Sequence, residues 1–184
     1  MNQYNCRQLT LRTLPAVHKM YDSLSKESKK YYPSKIYGKP TGLIWFLAQI
    51  ALVISHTPLR EFILHIHPNH IYFIVGMFNQ KNDLLGFAHF VVHKRLSNGK
   101  LIARLGMAVK DDYQSRGVGS KLVEELSALA KNKNVGKIYL EVLSVNVKAI
   151  RLYQRYGFGI NTIHRNAGHF KGKDCDIYEM ELNF

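Results

Sequence analysis

The stretch from Leu105 to Lys131 constrains this chain most. An apolar run, Leu101 to Val109, meets an acidic-polar turn, Lys110 to Gln114. The glycine pair Gly117 and Gly119 then opens a segment whose apolar residues Val118, Leu122, Leu126 and Leu129 recur on one helical face. Strand, glycine loop, helix is an arrangement that offers bare backbone N–H groups to an anion. The first N–H groups of a helix lack internal acceptors, and its N-terminus carries partial positive charge. A glycine there lets the backbone approach the anion without an intervening β-carbon.

The spacing Gln114-x-x-Gly117-x-Gly119 lacks the third glycine of a dinucleotide fingerprint and the Gly-Lys-Ser/Thr of a P-loop. Taken alone it fits either an anion cradle or the glycine-rich start of an ordinary helix.

The rest of the chain supplies a frame. At 184 residues, 1–184 is read as a single domain with enough chain for a sizeable core. A hydrophobic content of 46% with 21% charged residues describes a folded protein rather than a disordered one. Cys6 and Cys175 form no disulfide framework and have no metal-ligand spacing, which suits a reducing, cytoplasmic setting. No amino-terminal signal peptide is read. The apolar run Leu43–Ile54 is about half the roughly 20 residues a membrane span needs, so a buried helix and no membrane partner are expected.

The net charge of +13 sets a positive field without choosing a partner. Its basic residues are scattered, and no zinc finger or RNP-like motif accompanies them, so nucleic acid is not the expected partner.

Along the chain, Cys6 to Leu11 reads as an edge strand, and Thr13 with Pro15 as the start of a helix. Lys26 to Pro40 reads as loop, followed by helical stretches over Gly42–Ile54 and Leu59–His65. Ile71–Phe78, Leu84–His93 and Leu101–Val109 form an antiparallel meander. Lys137–Leu143 is a strand, and Asn146 caps a short helix ended by Gly157. Phe158–His164 and Asp176–Leu182 close the chain as a strand pair around a Gly168–Asp174 loop. The order predicts an α/β (α+β) fold: a mixed, mostly antiparallel sheet of about seven strands with helices on both faces.

A second block decides what the glycine loop resembles. It runs Leu140-Glu141-Val142, then Asn146, Ala149, Leu152-Tyr153 and Tyr156-Gly157-Phe158. Together the two blocks resemble the Gln/Arg-x-x-Gly-x-Gly/Ala and Leu-Glu-Val…Asn-x-x-Ala-x-x-Leu-Tyr-x-x-x-Gly-Phe signatures of the GNAT superfamily of acyl-CoA N-acyltransferases. Within it, the second block is most similar to ribosomal-protein and protein amino-terminal acetyltransferases. The element order matches the GNAT fold over nearly the whole chain.

That resemblance implies a splayed strand pair at the coenzyme A site, with acetyl-CoA as cosubstrate and no metal. It implies that Gln114, Ser115, Arg116, Gly117, Val118, Gly119 and Ser120 form the diphosphate loop. Met107, Ala108 and Val109 would pair with the pantetheine arm through their backbone, the Val109 N–H serving as oxyanion donor. Their side chains fit plain sheet core equally well. Asn146 would cap the helix, hold the pantetheine arm, or do both.

Tyr153 resembles the family's tyrosine acid, since a phenol of pKa about 10 is protonated at neutral pH. A core aromatic is the alternative. Glu141 interrupts an apolar strand, where a carboxylate is costly unless solvated, paired or used. The resemblance makes it a base acting through water; an ion pair or an outward-facing position is the alternative.

His65, His67 and His70 cluster in an expected loop without completing a zinc set. His164 and His169 are candidates for the acceptor site. The expected function is direct acetyl transfer from acetyl-CoA to a primary amine, a protein N-terminus or a small molecule, in a ternary complex. The chain would act as a monomer or homodimer. The alternative is a GNAT-fold acyl-CoA sensor, or a basic RNA- or ribosome-associated binding module without catalysis.

Overall fold

A computed structural model describes residues 4–9, 13–31 and 71–184. The expected helices over Gly42–Ile54 and Leu59–His65 lie outside these residues, as do His65, His67 and His70. The described chain runs β1 (Tyr4–Gln8), α1 (Leu14–Asp22), α2 (Lys26–Lys30), β2 (Ile71–Asn79), β3 (Leu84–Arg95) and β4 (Leu101–Val109). A single turn over Asp111–Tyr113 leads to α3 (Val118–Asn132), β5 (Val135–Leu143), α4 (Val147–Arg155), β6 (Gly159–Phe170) and β7 (Lys173–Asn183). The seven strands form one sheet in the order β1-β2-β3-β4-β5-β7-β6.

Every neighbouring pair is antiparallel except β4 and β5. Parallel pairing needs a crossover, and α3 supplies it. On one face, α3 buries Val118, Leu122, Val123, Leu126 and Ala130 against residues that include Leu105, Ile138 and Leu140. On the other, Val17, Met20 and Leu24 of the first helical segment pack on Ile74, Phe78, Phe87 and Ala108. Alternation along each strand directs one set of side chains to each layer.

Two expected loops are partly regular structure. Lys26–Lys30 is one helical turn, α2, because Ser25 caps it by accepting from Ser28 N. The Gly168–Asp174 loop is instead the tip of a long hairpin. There β6 and β7 stay paired to Phe170↔Lys173, and Lys171 and Gly172, both at positive φ (51° and 80°), make a two-residue turn. Left-handed backbone at both central positions suits the twist of a tight hairpin.

The feature that builds the site lies between β4 and β5. Their pairing runs from Leu101↔Val135 to Arg104↔Tyr139 and stops. Beyond it, β4 stays bonded to β3 as far as Gly86↔Val109, and β5 stays bonded to β7 as far as Leu143↔Ile177. The sheet is therefore split along one seam while both strands remain anchored on their outer sides.

Candidate active site

A cleft of about 1010 Å³ opens at this split. Its walls are the diverging halves of β4 and β5, its ends are α3 and α4, and Ser25, Glu27, Ser28 and Tyr31 reach it from α2 and its flanks. Lys110 N donates to Leu85 O of β3 at 2.8 Å. Strand alternation then turns the backbone of Val109 and Met107 away from β3 and into the split. Met107 and Val109 line the cleft, whereas the Ala108 side chain is buried in the layer beneath α1.

At the mouth stands the first turn of α3. Gly117 caps it at φ +83°, and Ser115 is also left-handed at φ +59°. Such reversals of backbone handedness are a recurrent way of making anion-binding concavities. The first helical bond runs from Lys121 N to Gly117 O at 3.0 Å, so the N–H groups of Val118, Gly119 and Ser120 have no acceptor within the helix. No acidic side chain stands in this turn. A β-carbon added at Gly119 would meet Leu152 Cδ2 at 3.1 Å and Met107 Cε at 3.7 Å. The missing side chain is what lets α3 close onto α4 and β4.

Ser115, Gly117, Gly119 and Ser120 line the cleft, but two neighbours in the motif do not. Val118 is core, and Arg116 lies over the Tyr113 ring at 5.8 Å. The Gln114 side chain is spent on bracing. Its Nε2 donates to Val109 O at 3.3 Å, Asp111 Oδ1 at 3.1 Å and Ser28 Oγ at 3.3 Å. Asp111 in turn accepts from Ser25 N at 2.8 Å and from the Ser28 hydroxyl. Partial burial pushes the Asp111 carboxyl up, but these hydrogen bonds outweigh it and hold it below its ordinary value. The loop and α2 are thus tied together.

Tyr153 is buried on α4 at the cleft wall, its ring 5.6 Å from Phe158. Tyr156 packs on the core outside the cleft. Asn146 does cap α4, its Oδ1 accepting from Ala149 N at 3.3 Å, and it also faces the cleft. Glu141 lies just past the fork, paired with Arg104 Nη2 at 2.8 Å, both side chains about 30% exposed. Arg104 is the residue sequence reasoning missed. The signal was present, a charge inside the apolar run Leu101–Val109, the same signal that singled out Glu141.

Behind the fork, His89 stands opposite Gly106 on β3, and burial followed by the nearby Arg104 charge pushes it down to about 4. His164 and His169 do not line the cleft, and His169 Nδ1 instead meets Asp174 Oδ1 at 3.1 Å. Neither cysteine lines it either, and burial pushes the Cys6 thiol up to about 11. Among the described residues, no group of His, Cys, Asp and Glu is arranged to hold a metal. No helix among them is long and apolar enough to cross a membrane.

The acetyltransferase (GNAT) family matches residues 44–158, which span both motif blocks and the split. The chain belongs to the GNAT family. Over 96 residues it is 33% identical to a spermine/spermidine N(1)-acetyltransferase of Bacillus subtilis, covering 50% of this chain and 62% of that one. Over 60 residues it is 42% identical to an Escherichia coli [ribosomal protein bS18]-alanine N-acetyltransferase, covering 33% of this chain and 40% of that one. The matched stretch therefore spans less than two thirds of each of these curated relatives. A Salmonella typhimurium structure described with acetyl-CoA as its cofactor shares the GNAT fold at a TM-score of 0.72 and 18% identity, covering 99% of this chain and 94% of that one. Seven strands, one parallel pair and its crossover helix are thus a GNAT sheet.

Proposed function

We propose that this GNAT chain is an N-acetyltransferase that moves the acetyl group of acetyl-CoA directly to a primary amine within a ternary complex. The carrying observation is the split between β4 and β5 with the first turn of α3 at its mouth. The residues present fit the cosubstrate: helix N–H groups with no acceptor among the described residues and an acid-free turn suit a diphosphate, and two strand edges without a ladder partner suit an amide-bearing arm. A thioester supplies an already activated acyl group, so the protein needs to orient it, polarise its carbonyl and manage two protons.

In this reading Ser115 to Ser120 bind the diphosphate through their backbone, and Asn146 and the Met107–Val109 edge position the arm. The Val109 N–H, directed into the split, donates to the thioester oxygen as charge builds there. As the amine attacks and the carbon–sulfur bond breaks, the Tyr153 hydroxyl gives its proton to the thiolate and regains one from the second proton that the nitrogen sheds on becoming an amide. Glu141 accepts the ammonium proton through water. Its 2.8 Å contact with Arg104 fixes the carboxylate beside the split, where it can orient that water. With the cysteines outside the cleft, no covalent enzyme intermediate enters the scheme.

The acceptor is a small-molecule amine or a protein amino terminus; among its relatives, one is named for spermine and spermidine and another for a ribosomal-protein alanine. Thiol release from acetyl-CoA, measured across polyamines, amino acids and peptides, tests the proposal. Acceptor-dependent release supports transfer. Tight acetyl-CoA binding with no release for any amine would favour a sensor that has kept the cleft and lost the chemistry.

A further inference from the structure

We infer that Lys148, Arg151 and Arg155 form a phosphomonoester site for the 3′-phosphate of coenzyme A, and so make the protein select CoA over dephospho-CoA. The inference rests on the reading that the cleft holds acyl-CoA. All three residues are exposed on α4 and line the cleft. At positions i, i+3 and i+7 they fall along one side of the helix.

Arg104, the other cation of the wall, is held by Glu141. Among the described residues Lys148, Arg151 and Arg155 have no carboxylate partner. Nearby cations are committed elsewhere: Lys121 to Glu124 and Glu125, and Arg116 against the Tyr113 ring. Of the three, only Arg155, in the last turn, suits the dipole of α4. Lys148 stands in the first turn, where the helix dipole disfavours a cation, and no acid in that turn offsets it.

Position supplies the ligand. Leu152 is the α4 residue that packs against Gly119, at the first turn of α3. Lys148 and Arg155 lie one turn to either side of Leu152, and Arg151 is adjacent. The cations therefore flank the diphosphate cradle. In coenzyme A a single ribose separates the diphosphate from the 3′-phosphate, so an anion bound at α3 brings a second, doubly charged one beside α4. Val147, 48% exposed at the same lip, offers apolar surface to the attached purine.

The test is titration calorimetry of CoA and dephospho-CoA into the wild-type chain and a Lys148→Gln/Arg151→Gln/Arg155→Gln variant. Because the three side chains are exposed, circular dichroism should find the variant folded. The wild type is expected to prefer CoA about tenfold, as charged contacts at a solvent-facing rim allow. The variant should lose that preference while keeping its affinity for dephospho-CoA. Equal binding of both ligands by the wild type overturns the inference and leaves the CoA cleft intact. Equal weakening of both ligands in the variant also overturns it, because the cations would then serve the diphosphate or a general field. Failure of the wild type to bind either ligand removes the acyl-CoA reading itself, and this inference with it.

Discussion

The two halves of the β4–β5 seam have similar compositions and opposite fates. In the first half, Leu101 to Arg104 bond to Val135 to Tyr139, and Ala103 and Ile138 are fully buried. In the second, Leu105 to Val109 and Leu140 to Leu143 diverge, and Met107 and Val109 are only half-buried. Both halves keep their outer partners, so the second half loses one ladder and little else. A sheet can thus expose backbone for a ligand at one seam while its side chains still pack against α3. The Arg104–Glu141 pair stands at the change-over, two charges placed where apolar sheet gives way to cleft.

The comparison breaks first under core truncation. Ile138→Ala in the paired half should cost about 2–5 kcal/mol, read by chemical denaturation. Met107→Ala in the split half should cost much less, and equal losses would erase the distinction.

Behind the fork, His89 makes stability depend on pH. Its folded value of about 4 lies below the ordinary 6.5, so the native state binds fewer protons than the unfolded chain. Stability is full above pH 6.5, falls as pH drops towards 4 and is flat below, a loss of order 3 kcal/mol. Denaturation of His89→Gln across this window should lack that component. An unchanged slope would show that His89 is not held neutral.

Tyr153→Phe should lower kcat roughly 10²-fold with little change in acetyl-CoA affinity, since the buried ring remains. A wild-type kcat under conditions where chemistry limits the rate would remove Tyr153 from the reaction. The smallest effect is expected at Glu141. Glu141→Gln should lower kcat/KM several-fold at low pH, with recovery as pH rises and free amine becomes abundant. The partly exposed ion pair is worth no more than about 1 kcal/mol of stability. A lowered melting temperature with an unchanged pH–rate profile would assign Glu141 to the fold alone.

Much of this was legible in the sequence because periodicity and caps act locally. The range Leu101–Val109 coincides with β4, and Asn146 caps α4 as its spacing predicts. The missed elements lack such signals. The α2 segment Lys-Glu-Ser-Lys-Lys has no apolar stripe, and what fixes it is a cap at Ser25 with distant bonds to Asp111 and Gln114. The hairpin tip is mostly polar and exposed apart from Gly168, Phe170 and Cys175, so no regular alternation marks its strands. There Lys171 reaches Glu27 at 2.6 Å, and Phe170 stacks on Tyr31 at 4.7 Å, contacts between segments far apart in sequence. Within the candidate site, Glu141 and Tyr153 could be singled out by residue type, but the Arg104 pairing required two strands to be placed side by side.

Amide hydrogen exchange with and without acetyl-CoA tests the central claim most directly. In the free protein, backbone amides of Leu101–Arg104 should already be protected, whereas those facing the split in Leu105–Val109 and Leu140–Leu143 should exchange quickly. Saturating acetyl-CoA should slow exchange in the split half and at Val118–Ser120, and leave the paired half unchanged. Protection appearing elsewhere, with the split half and the first turn of α3 as fast as before, would contradict the assignment of this seam as the acyl-CoA site.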